Sequence, residues 1–167
     1  KSMNYEENKR SKFQFAKLLT GLLSFMSLLS GDSVGLAAGG YQIAGQDEKA
    51  WTRFIYELQG RTTTPSFVAP VLVNKHRKEL FIVLTDHYDH DDDIPSFVSD
   101  LKTRNNEVIV FHILGDKESS LSFAAGDRFQ DLENNQIVTF DSSKKTEYQQ
   151  RLNEWTDSLQ SYYLEKG

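Results

Sequence analysis

Apolar residues recur along this chain at two periods, three-to-four and two, and the points where the period changes mark its elements. "KRSKFQFAKLLTGLLSFMSLLSG", residues 9 to 31, is mostly apolar, with Gln14, Lys17, Thr20, Gly21, Ser24 and Ser27 returning every three or four positions. That pattern predicts a helix over 11–30 with a narrow polar stripe on an otherwise buried surface. Gly31 is placed to cap its C-terminus. "DSVGLAA", 32–38, reads as a short strand, and "GGYQIAG", 39–45, as a second strand or a hairpin return. From Gln46 to Gln59 the helical period resumes, with Trp51, Phe54, Ile55 and Leu58 on one face and Gly60 as the stop. Residues 61–79 begin as a loop, with a short helix expected between Pro65 and Asn74.

The second half is organised differently. Leu80 to Thr85 is an unbroken apolar run rich in branched residues, as expected of a strand covered on both faces in a parallel sheet. Ile94, Phe97, Val98 and Leu101 mark an amphipathic helix, and "EVIVFHIL", 107–114, is a second apolar strand. Strand, helix and strand fit within the length of a right-handed parallel crossover unit. "LSFAAGDRFQDLENNQIVTFD", 121–141, predicts short strands turning at Gly126 and at Asn134-Asn135. A last helix is expected over 143–165, with Tyr148, Leu152, Trp155, Leu159 and Tyr162 as its core stripe. The expected fold class is therefore α/β, with a mostly parallel sheet flanked by helices. No repeat, low-complexity linker or boundary interrupts residues 1–167, which read as a single domain.

Composition narrows the function classes. At 167 residues the chain is long enough for one real core. Its 38% hydrophobic content separates it from disordered sequences. The net charge of -5 arises from mixed signs without a basic stripe, which argues against a nucleic-acid partner. With no cysteine, the chain carries no disulfide framework, thiolate metal site or cysteine nucleophile, and it fits a reducing, cytoplasmic compartment. Residues 9–31 have the outline of a signal segment, but the recurring polar positions favour a soluble helix over membrane insertion.

Candidate chemistry gathers at strand ends. Asp86 and Asp116 each follow an apolar strand of the expected parallel pair, and ligands of open α/β sheets bind beyond the carboxyl ends of strands. Two carboxylates there suit a hard cation; alternatively, each caps the turn that follows. The run His87, Asp89, His90, Asp91, Asp92, Asp93 has the composition of a transition-metal site. Its later acids also directly precede a helix with Pro95 in the first turn, where carboxylates cap free N–H groups and meet the helix dipole favourably, and that reading accounts for them. "GRTTT", 60–64, offers neutral hydroxyl ligands or helix caps. His112, inside an apolar strand, reads as a packing histidine, and His76 as part of a solvated basic loop. No phosphate-cradling glycine loop, nucleophile elbow or H-E-x-x-H helix occurs.

Taken in order, the segments "KSMNYEENKRSKFQFAKLLTGLLSFMSLLSGDSVGL", "LQGRTTT", "LFIVLTDHYD", "EVIVFHILGDKE", "LSFAAGDRFQDLE" and "YQQRLNEWTDSLQSYY" resemble the bacterial family called domain of unknown function 58, a branch of the von Willebrand factor A-like domains. The resemblance implies a doubly wound, Rossmann-type sheet. It also implies a metal-ion-dependent adhesion site: an Asp-x-Ser-x-Ser run after the first strand, a loop Thr, and an Asp at the tip of the fourth strand. Ser2 falls at the last Ser of that run, Thr62 at the loop Thr (with Thr63 as fallback), and Asp86 at the strand-tip Asp. By the same resemblance the first strand, with its Asp and first Ser, and a final strand lie outside the chain. The implied ion is Mg²⁺ or Mn²⁺. The implied role is a non-enzymatic protein-interaction module working with a MoxR-type AAA+ ATPase in assembly or chaperone activity, with a homo-oligomer as a further possibility. Two other functions fit the residues: a metal-dependent hydrolase using Asp86, His87 as base and Asp116, and a structural domain with a degenerate metal site.

Overall fold

The computed structural model describes residues 6–7, 10–38, 41–45, 47–58, 78–86, 93–102, 105–120, 122–124, 126–130 and 136–166. It is mixed α/β, and the chain divides into two compact units, Met3–Val73 and Asn74–Gly167.

In the first unit, β1 (Glu6–Glu7) and β2 (Arg10–Ser11) form a minimal antiparallel hairpin that the apolar pattern does not announce. Ser11 then caps α1 (Lys12–Leu29) through a reciprocal pair of bonds. The Gln14 amide donates to Ser11 Oγ at 3.1 Å, and the Ser11 amide donates to Gln14 Oε1 at 2.9 Å. Two N–H groups that the first turn would leave unsatisfied are thereby paired. At the other end Gly31 adopts φ +83°, and its amide and that of Asp32 donate to Leu28 O and Ser27 O, the close expected of a helix ending in a left-handed residue. β3 (Val34–Ala38) and β4 (Tyr41–Gly45) pair antiparallel, which selects the hairpin return. α2 (Glu48–Glu57) starts at Asp47, whose Oδ1 accepts from the amides of Lys49 and Ala50. Trp51 and Leu58 are buried on the predicted face, with Phe54 and Ile55 half-buried beside them.

The orientation of α1 differs from expectation. Part of its polar stripe faces inward onto α2, while its apolar residues Phe15, Leu18, Leu22, Phe25, Met26 and Leu29 are 44–70% exposed. Lys17 Nζ donates to Tyr56 O at 2.8 Å and Leu58 O at 2.9 Å, satisfying carbonyls at the end of α2 where a cation also meets the helix dipole favourably. A Cβ added at Gly21 would lie at ordinary contact distance, 3.7 Å, from the Ile55 side chain, so this position faces α2. Ser24, on the same side, is buried.

In the second unit, β5 (Glu79–Thr85) and β6 (Asn106–His112) pair in parallel through α3 (Asp93–Leu101), as expected for a strand–helix–strand unit. Asn106 Nδ2 donates to Leu101 O at 3.3 Å across the turn into β6. The ladder continues past the strands: the Ile113 amide donates to Thr85 O at 2.8 Å. Beyond it come α4 (Asp116–Ser120), a short helix not anticipated, and the antiparallel pair β7 (Arg128–Gln130) and β8 (Ile137–Thr139). Gly126, at φ +89°, lies at the predicted turn, and Asn134-Asn135 lies outside the described residues. A 3-10 turn at Ser142–Lys144, capped by Asp141, leads into α5 (Lys145–Lys166). Rings of Phe123, Phe129 and Phe140 meet edge-on at 4.5–6.0 Å, and Phe140 reaches Tyr148 on α5 at 6.5 Å.

Parallel register puts Phe81, Val83, Thr85, Val108, Val110 and His112 on one side of the β5–β6 pair. That side is covered: His112 meets the Trp155 ring of α5 at 5.1 Å, which makes it a packing histidine, and Tyr162 Oη donates to Pro95 O of α3 at 3.4 Å. On the opposite side, among the described residues, Leu80 is 55%, Ile109 44% and Phe111 38% exposed. Among the described residues the strands form four two-stranded sheets. No described helix is long and apolar enough to cross a membrane.

Candidate functional site

Asp86 follows the last residue of β5, where the strand's branched run ends and the ladder to residue 113 still holds. It is only 9% exposed, and its Oδ2 atom is enclosed. A carboxylate in that position is unusual, because taking its charge out of water costs several kcal/mol, on the order of a whole domain's margin, unless other groups compensate. Among the described residues, Lys12 is the other buried charged one.

Across the same sheet end, residues 113–115 lead from β6 into α4, with Ile113 and Gly115 buried. The Gly115 amide donates to Glu118 Oε2 at 2.7 Å, and the Ser119 and Ser120 hydroxyls donate to Asp116 O at 3.0 and 2.7 Å. Asp116 itself is exposed in the first turn of α4. Its place is that of a helix-start acid, one of the two alternatives open from sequence. The two aspartates thus differ in kind: one is withdrawn from solvent at a strand tip, the other is solvated on a short helix. Apolar periodicity gives no sign of Gly115 or Glu118, although a glycine directly after an apolar strand is itself a signal of a tight turn.

Ser2, Thr62 and Thr63 lie outside the described residues, as do His76, His87, Asp89, His90, Asp91 and Asp92. Asp93 opens α3, in keeping with the helix-start reading of that acidic run. Among the described residues, no cluster of three or more His, Cys, Asp or Glu is placed to hold a metal ion. Asp86 therefore stands as one hard oxygen donor of the type Mg²⁺ or Mn²⁺ takes, on the side of a parallel sheet where such ligands bind.

Compared with family models, curated proteins and solved structures, the chain finds no match.

Proposed function

We propose that this chain is a von Willebrand factor A-like interaction domain of the domain of unknown function 58 type, with a doubly wound sheet and a divalent-ion site at Asp86. The observation that carries the reading is the buried carboxylate at the carboxyl end of β5, beside a strand that runs parallel to it. A carboxylate at the carboxyl end of a parallel strand is a hard oxygen donor of the kind a divalent cation takes. Ser2 and Thr62 are the proposed neutral ligands. Mg²⁺ or Mn²⁺, when bound, supplies an open coordination position that a partner's carboxylate fills, so recognition needs no covalent chemistry. The proposed partner is a MoxR-type AAA+ ATPase, in a chaperone or assembly role.

Mn²⁺ titration followed by electron paramagnetic resonance tests the ion, and a pull-down with a MoxR-type ATPase with and without EDTA tests the partner. Asp86→Asn keeps the side-chain shape and removes the charge. Ion uptake by the unaltered chain, reduced at least about tenfold in Asp86→Asn, is the expected result, since one carboxylate supplies much of the attraction in such sites. Equal Mn²⁺ binding by both proteins, or none by either, refutes the metal site. Capture of the ATPase that EDTA leaves unchanged refutes an ion-mediated contact.

A further inference from the structure

We draw no further inference here: the strongest candidate, the apolar side of α1 that carries Phe15, Leu18, Leu22, Phe25, Met26 and Leu29, is an unpartnered face among the described residues, and nothing in the structure shows what covers it.

Discussion

Leu101 and Leu80 carry the same side chain in the same unit, yet one is 2% exposed and the other 55%. Replacing each by alanine therefore measures how one-sided the β5–β6 sheet is. Leu101→Ala removes three carbons from full burial, at about 0.8 kcal/mol each. A residual cavity of some tens of Å³, at about 24 cal/mol per Å³, adds about 1 kcal/mol, for a total of about 3 kcal/mol. At Leu80 about half of the side chain is already in water and the space left opens to solvent, so the cost is about 1 kcal/mol. Urea unfolding followed by circular dichroism, with Trp155 fluorescence in a Trp51→Phe background as a second probe in the same unit, reads both. With a slope of about 1.5 kcal/mol per M, the midpoint falls by about 2 M for Leu101→Ala and by about 0.7 M for Leu80→Ala. Equal shifts refute the reasoning, because they mean that the Leu80 side of the sheet is as well covered as the α3 side.

Three further outcomes follow from particular contacts. Ser11→Ala removes the acceptor for the Gln14 amide at the start of α1 and lowers stability by about 1 kcal/mol, seen as a lower melting temperature. The Ser143 hydroxyl, and then its amide, hold the Asp141 carboxyl below the usual carboxylate range. A lowered folded-state value means that the unfolded chain binds the proton more readily, so this contribution is complete above about pH 4 and is lost as pH falls through the folded value. Carboxyl-carbon NMR titration follows it, and Ser143→Ala returns Asp141 toward the ordinary value. Burial, and secondarily Tyr162, raises the phenol of Tyr163. Its contribution is complete below about pH 10 and disappears as pH rises through the folded value, so in phenolate absorbance Tyr163 titrates after an exposed tyrosine.

The legible parts of this fold are those where one physical signal acts alone. The apolar runs at 80–85 and 107–114 dictate buried strands, and the intervening helical period leaves parallel pairing as the short solution; the register confirms it. Helical periodicity locates α1 and α2, and the acidic run before Pro95 locates α3, to within a residue or two of their observed starts. What hydrophobicity does not encode is which side of an element finds a neighbour. In α1 the side toward α2 carries Lys17, whose amine donates to the carbonyls of Tyr56 and Leu58, a contact that apolar periodicity does not announce. The exposure of Leu80, Ile109 and Phe111 has no local signature either: a strand apolar on both sides can be covered on both, but nothing local compels it. At the candidate site, Asp86 is legible because a carboxylate ending a branched apolar strand is conspicuous. Asp116 has the same local signature, and only the α4 turn separates their environments.

The two hydrogen bonds from Lys17 mean that its amine is not chemically equivalent to that of a solvated lysine. With its amine held against Tyr56 O and Leu58 O, Lys17 must leave those carbonyls before a bulky acylating reagent reaches it freely. In a time-resolved labelling footprint, Lys17 therefore modifies late, and the lag reports how often the end of α2 lets go.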